Sequence, residues 1–209
     1  MGILIFAVLS FNVCFGFSAN VDLPKNARIV LATKKDGIVK VMENRKGKIE
    51  TTFEATASYG TANGTKHKEG DNKTPTGVYF GTKLLSSDEL PEDTYGPMAI
   101  VLNYPNPIDL VAKKTGSGIW VHGTNETTRL GPKNATQGCI ILENAKLLKL
   151  ISLMRLNQVP IIITDSASMV TINVLDGKST KITAEDGNIK YQISTELEKS
   201  KDIVYEVIK

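Results

Sequence analysis

Short apolar runs separated by turn residues dominate this chain. Most have the length and β-branched content of strands. Ala27–Ala32 (ARIVLA) and Gly37–Met42 (GIVKVM) flank an Asp36-Gly37 pair, a hairpin signal. Lys48–Ala57, with Ile49, Phe53, Ala55 and Ala57 recurring, adds a third strand after the Lys46-Gly47 turn. The chain therefore opens with a β-meander, and no helical period is found over residues 20–119. Tyr59–Gly77 is rich in Gly, Thr, Asn and Lys with almost nothing to bury. It predicts a long loop, and loops of this length inside compact domains are usually functional or disordered.

Val78–Thr82 resumes strand character, Leu84–Glu92 has room for one helical turn, and Met98–Leu102 reads as a buried strand. That strand ends at Asn103-Tyr104-Pro105-Asn106-Pro107, where the prolines impose an extended or turned backbone. Ile119–Val121 is a further strand leading into His122. The one helix with clear periodicity is Glu143–Asn157, with Leu147, Ile151 and Met154 on a stripe and Lys146 and Lys149 off it. Glu143 at its start suits the helix dipole. Val159–Thr164 is a buried strand closing the domain. From Asp165 the texture changes: Met169–Leu175, Asn188–Ile193 and Ile203–Ile208 are strand-like, with turns at Asp176-Gly177 and Asp186-Gly187. The pattern predicts a mainly β fold with one principal α-helix, a main domain over residues 20–165 and a small β-rich C-terminal extension over 166–209.

Composition narrows the function. At 209 residues there is room for one good-sized domain with a small appendage. A net charge of +3 with interspersed signs, and no basic cluster with interleaved aromatics, gives no nucleic-acid signature. Residues 1–19 are uncharged and mostly apolar from Ile3 to Phe17, with small residues at Gly16, Ser18 and Ala19. They read as an export signal cleaved near Ser18 or Ala19, or as an uncleaved anchor in the inner membrane. The run lacks a basic n-region and is short for a membrane-spanning helix, which needs about 20 apolar residues. The expected location is the periplasm. Removing that segment also removes Cys14 and leaves Cys139 as the one thiol. A lone thiol in an oxidising compartment asks for a reason, and nucleophilic catalysis supplies one.

The candidate chemistry lies in Ile119–Asn144, IWVHGTNETTRLGPKNATQGCIILEN. His122 and Cys139 each adjoin a glycine and a short apolar run, the pattern of two strand ends carrying an imidazole and a thiol. A catalytic thiol needs a base, a group that orients the base, and donors for the oxyanion. His122 supplies the base. With no carboxylate beside it in sequence, a backbone carbonyl is the expected orienting group. The amides of Gly138 and Cys139 are candidate oxyanion donors. The alternative for the same residues is a small buried Cys139 and a strand-end His122 with ordinary partners. No further His or Cys cluster suggests a metal, and no cofactor is expected.

At these residues the sequence resembles the YkuD-type L,D-transpeptidases, in HGT…TQGCI, in Lys68–Tyr79 (KEGDNKTPTGVY) and in NYPNP. The last segment, and Asn144 five residues after the cysteine, resemble the YafK-like branch. The likeness runs in consistent order from about Ala27 to Asp165. It implies a YkuD-like β-sandwich catalytic domain that acts on peptidoglycan stem peptides. By that resemblance, Cys139 attacks the diaminopimelyl carbonyl at the third stem position and expels D-Ala. His122 is the general base, the Gly123 carbonyl orients it, and Thr136 supports the loop or the substrate. An amine acceptor on a second stem peptide or a wall-attached protein gives a transpeptidase; water gives an L,D-carboxypeptidase that trims tetrapeptide to tripeptide. A non-catalytic wall-binding module is the reading from another class.

Two positions depart from the family pattern. Gln137 stands where His is common, and Ile141 where many members have an arginine able to hold a carboxylate. Lys66, Lys68, Lys73 and Arg129 are candidate replacements. Lys73 and Arg129 are taken as substrate-binding residues together with Thr136, Gln137 and Tyr104, while His67 reads as a loop residue with a secondary claim to substrate contact. Tyr79, Tyr104 and Trp120 are expected to pack near the cleft, and of the three Tyr104, beside two prolines, has the better claim to line it. Asp71 and Thr74 are expected to fix the loop ahead of Gly77.

Overall fold

A computed structural model of the protein describes residues 16–91, 93–131, 134–175, 177–196 and 203–208. In chain order the strands are β1 (Ser18–Pro24), β2 (Arg28–Thr33), β3 (Ile38–Arg45), β4 (Lys48–Thr56), β5 (Tyr59–Gly60), β6 (Gly77–Ser86) and β7 (Met98–Leu102). Helix α1 (Pro107–Val111) follows, then β8 (Trp120–His122), β9 (Asn134–Thr136), β10 (Ile140–Ile141), helix α2 (Asn144–Leu153) and β11 (Pro160–Thr164). The chain ends with β12 (Val170–Leu175), β13 (Ser179–Asp186), β14 (Ile189–Glu196) and β15 (Val204–Ile208).

Eight strands form the main sheet in the order β10-β8-β7-β6-β11-β2-β3-β4. The pairs β2–β11 and β8–β10 are parallel and the rest antiparallel. Its central strands are buried on both faces, which explains their unbroken apolar runs. Val30, Ala32, Tyr79, Ile161 and Ile163 face one core, shared with Leu147 and Leu150 of α2. The alternate residues Ile29, Leu31, Val78, Phe80 and Ile162 face a second core with Val21, Leu23, Ile182, Tyr191 and Ile193. That second core is roofed by a five-stranded sheet in the order β12-β1-β13-β14-β15.

The C-terminal extension is therefore a layer of the fold rather than a free appendage. Strand β1 lies inside its sheet, parallel to β12 and antiparallel to β13. The expected boundary at Asp165 does not separate two cores, because residues 18–24 reach across it. Most of the expected export signal, residues 1–15, lies outside the described residues. Phe17 and Ala19 are buried in the second core, so cleavage at Ser18 or Ala19 would cut at the mouth of β1. Among the described residues no helix is long and apolar enough to cross a membrane.

Three further expectations change. Leu84–Glu92 does not open on a helical turn: β6 continues to Ser86, and a short 3-10 turn forms later, at Asp93–Tyr95. The Asn-Pro pair after Tyr104 starts α1 within the stretch expected to lack helix. Asn106 caps it by accepting from the amides of Ile108 and Asp109, while Asp109 accepts from the Asn106 amide. Helix α2 stops at Leu153, short of Asn157, because Met154 turns extended. Its fully buried residues are Leu147 and Leu150, with Ile151 and Met154 packed at the margin.

Candidate active site

Strands β8 and β10 pair in parallel with Val121 opposite Ile140 and His122 opposite Ile141. Continuing that register by one residue puts Cys139 beside Trp120. Side chains alternate along a strand, so His122 and Cys139 lie on the same face of the sheet. With strands about 4.8 Å apart and a two-residue advance of about 6.6 Å, their Cα atoms are about 8 Å apart. Both line one pocket of about 760 Å³, whose walls include Tyr95, Gly118, Arg129, Thr136 and Gln137.

The imidazole is fixed. His122 is 1% exposed, and its Nδ1 lies 2.6 Å from the Gly123 carbonyl oxygen. A carbonyl only accepts, so Nδ1 carries the hydrogen and Nε2 keeps its lone pair. Tyr95, from the 3-10 turn after β6, sets its ring against His122 with centroids 4.8 Å apart and against Trp120 at 5.5 Å. Burial pushes the His122 pKa down from 6.5 to about 4, the Gly123 bond opposes that shift, and the Arg129 charge adds to it.

Cys139 is half-buried at the pocket wall. Its thiol donates to the Gly118 carbonyl at 3.4 Å. Burial pushes the thiol pKa up, while the Trp120 amide and the charges of Arg129 and Lys66 pull it down by less. The resting pair is thus neutral imidazole and neutral thiol, and a thiolate forms only by moving a proton.

The loop before Cys139 is built by Thr136. Its hydroxyl donates to the Cys139 carbonyl at 2.8 Å and accepts from the Gly138 amide at 2.9 Å. That contact corrects one expectation: the Gly138 amide is already bound and does not point at an oxyanion. The Cys139 amide has no acceptor among the described residues. Gly138 is needed for space and conformation. Its φ is +134°, and a Cβ there would lie 2.7 Å from the Lys73 carbonyl oxygen.

The polar loop between β5 and β6 buries more than its composition suggests. Lys66 is 3% exposed, and its ammonium bonds Asp71 at 2.9 Å and the Lys68 carbonyl at 3.1 Å. Burial opposes ionisation of Asp71, yet Lys66 and the amides of His67, Lys68 and Lys73 hold its carboxyl well below the usual range. Asp71 and Thr74 fix the loop as expected, Thr74 by accepting the Gly60 amide at 2.9 Å. Lys66 lines the pocket with its charge already matched.

Of the expected substrate-binding residues, Thr136, Gln137 and Arg129 line the pocket, whereas Tyr104, Lys73 and His67 do not. Tyr104 is buried with its hydroxyl on the Thr115 carbonyl at 3.1 Å, so it packs without lining the cleft. Lys73 contributes its carbonyl behind Gly138. His67 is exposed, and its carbonyl receives the Thr115 amide. Ile141, at the position where an arginine is common, is fully buried. Arg129 is half-buried, ends a 3-10 turn, and has no carboxylate within ion-pair distance among the described residues. Its carbonyl is held at 2.5 Å by the hydroxyl of Ser58, which also reaches the Gly131 carbonyl at 2.8 Å.

Asn144, the first residue of α2, ties the two halves together. Its side-chain carbonyl accepts the Thr124 amide at 2.8 Å, and its amide group donates to Asn125 at 3.2 Å. That side chain fills the space where a Cβ on Gly96 or Gly123 would sit, so the helix start, the turn carrying Tyr95 and the His122 segment interlock. Neither Tyr95 nor Ser58 carried a sequence signal. Asn144 did, through the branch pattern, but its contacts did not. Among the described residues no group of three or more His, Cys, Asp or Glu side chains is arranged to hold a metal.

The L,D-transpeptidase catalytic domain (YkuD) model matches residues 22–163 of this chain. The chain belongs to this family. Solved structures share its fold. Pgp2 of Campylobacter jejuni, a helical cell shape determining protein, is 20% identical with a TM-score of 0.62, over 92% of this chain and 88% of Pgp2. A point mutant of Pgp2 aligns at 23% identity and a TM-score of 0.65, over 88% and 87% of the two chains. Bd1075 of Bdellovibrio bacteriovorus is 21% identical with a TM-score of 0.57, over 88% and 86%. No curated protein matches the chain in sequence.

Proposed function

We propose that the protein is a peptidoglycan L,D-transpeptidase with Cys139 as nucleophile and His122 as general base. The observation that carries this reading is their meeting in one pocket, with Nδ1 of His122 bonded to the Gly123 carbonyl and Nε2 free. The thiol proton passes to Nε2 as sulfur attacks the diaminopimelyl carbonyl of a stem tetrapeptide. Negative charge on the former carbonyl oxygen is met by the free Cys139 amide. Collapse breaks the bond to D-Ala, whose amine takes the proton from Nε2 and leaves a thioester on Cys139. An acceptor amine then gives its proton to Nε2, attacks the thioester and releases the thiol.

The neutral resting pair suits this sequence, because Nε2 is unprotonated at neutral pH and the thiol loses its proton only as it attacks. Arg129 supplies the charge that Ile141 lacks. Among the pocket's cations Lys66 is matched by Asp71, so Arg129 is the one placed to hold a substrate carboxylate. Such an enzyme works outside the cytoplasmic membrane, and we assign it a part in cell shape, the role that the similar fold of Pgp2 has as a helical cell shape determining protein.

The test is product analysis on purified tetrapeptide muropeptide with wild type, Cys139→Ala and His122→Ala. Cross-linked dimers or D-amino-acid exchange products are expected from wild type. Free tripeptide alone would make the enzyme an L,D-carboxypeptidase. A general base contributes about 10²–10⁴-fold, so His122→Ala should be severely impaired yet folded. Wild-type turnover by Cys139→Ala would sink the assignment, whereas a folded wild type with no turnover and a thiol inert to alkylation at neutral pH would favour a wall-binding module.

A further inference from the structure

A second cavity, of about 380 Å³, opens between the two sheets. It lies where the β1–β2 turn, the chain after α2 and the β13–β14 pair meet, and its lining includes Lys25, Arg28, Arg155, Gln158, Thr180 and Thr195. Helix α2 begins at Asn144, against the His122 segment, and ends at Leu153 on this cavity. Ten residues at 1.5 Å each put the two ends about 15 Å apart, so the cavity is no extension of the Cys139 pocket.

Two independent observations mark it as a binding site. The first is charge. Three cations line it and Glu43 is the one carboxylate. Glu43 is already bound twice, by Arg28 at 3.1 Å and Arg45 at 3.2 Å. Arg28 also donates to the Leu153 carbonyl at 3.3 Å, which fixes its plane. Lys25 and Arg155 are exposed and have no ion-pair partner among the described residues.

The second is a pair of hydroxyls. Thr180 and Thr195 are register partners on β13 and β14, side by side on one face. They are 3% and 6% exposed, and neither side chain has a hydrogen-bond partner among the described residues. Neither hydroxyl is sealed without a partner, so each reaches solvent through the cavity they line. Both hydroxyls are therefore open to a partner from the cavity and to none from the protein among the described residues.

We infer that this cavity binds an acidic monosaccharide unit. Lys25 and Arg155 hold its carboxylate, Thr180, Thr195 and Gln158 meet its hydroxyls, and Leu153 and Val159 pack on its apolar face. Its volume lies at the small end of ligand sites, about 300–1,000 Å³, and fits one sugar ring. The site depends on the C-terminal sheet for its hydroxyls and on the main domain for its charge, so it gives the extension a role apart from catalysis.

The test is calorimetric titration of the full chain with N-acetylmuramic acid, N-acetylglucosamine and inorganic phosphate, alongside Lys25→Gln, Arg155→Gln and Thr195→Val. N-acetylmuramic acid should bind saturably and the neutral sugar at least about tenfold more weakly, because a charge-assisted bond contributes about 1.5–3 kcal/mol. Each charge variant should weaken binding about tenfold or more while turnover of a short muropeptide at the Cys139 pocket stays unchanged. Equal binding of both sugars, phosphate binding as tight as the acidic sugar, or affinity unaltered in Arg155→Gln would overturn the inference. None of these results depends on whether Cys139 is the nucleophile.

Discussion

The buried imidazole should leave a measurable trace in the stability of the protein against pH. His122 has an ordinary pKa of 6.5 in the unfolded chain and about 4 when folded. Between those values the unfolded chain binds a proton that the folded protein refuses. Stability attributable to this group is therefore complete above pH 6.5, falls as pH drops through the window, and levels off below about 4. The gap of about 2.5 pH units, at about 1.36 kcal/mol each, corresponds to about 3 kcal/mol. By pH 4.5 roughly 2.5 kcal/mol of it should be gone. Burial raises the Glu43 carboxyl but Arg28 and Arg45 hold it below its ordinary value, so it too takes a proton more readily in the unfolded chain, and the comparison must be differential. Urea unfolding of wild type and His122→Asn at pH 7.5 and 4.5 isolates the term, since every other group is shared. Wild type should lose roughly 2.5 kcal/mol more than the variant over that interval. The same burial should place the acid limb of kcat/KM near pH 4. Parallel stability profiles, or an acid limb at pH 6–7, would refute a neutral buried base.

Other expectations follow from single contacts. Asp186, on the β13–β14 hairpin, bonds the buried Lys114 ammonium at 2.7 Å opposite Asp109 at 3.0 Å. Breaking a buried pair from one side costs about 3–5 kcal/mol; Lys114 retains Asp109, so Asp186→Ala should cost about 3 kcal/mol in denaturant unfolding, and a change under about 1 would contradict the tie. Gly138→Ala meets both a positive φ and the Lys73 carbonyl. It should cost about 1–3 kcal/mol in stability and, by displacing the thiol, about 100-fold in kcat/KM; a variant with native turnover would show that the close approach is relaxed in solution. Arg129→Gln should raise KM for tetrapeptide about tenfold or more with a smaller change in kcat, and an unchanged KM would move the carboxylate site elsewhere.

The parts of the fold legible in the sequence were those written in local chemistry. Asp36-Gly37 announced the β2–β3 hairpin, and Gly37 does adopt φ +65°. The apolar runs at 98–102 and 159–164 became β7 and β11 nearly to the residue. His122 and Cys139 stood out because each follows or precedes a strand and each is rare. What composition hid were contacts made across the chain. The loop between β5 and β6 looked unburied because Lys66 and Asp71 are polar, yet each matches the other's charge and both sink into the protein. Strand β1 could not be assigned to the C-terminal sheet, since its partners lie about 150 residues away. Tyr95 packs on His122 from a turn whose local sequence resembles any loop. The Gly138 amide shows the same limit: the motif placed it beside the thiol, but only the Thr136 hydroxyl, two residues earlier, decided that it is occupied.

The most direct measurement of the central claim is the mass of the protein caught during turnover. Wild type is mixed with tetrapeptide muropeptide, quenched in acid within one turnover, and mapped by proteolysis and mass spectrometry. The account predicts an adduct of the substrate minus D-Ala as a thioester on the peptide containing Cys139, cleared by hydroxylamine and absent in Cys139→Ala. Product release with no such adduct, or an adduct on another residue, would contradict it.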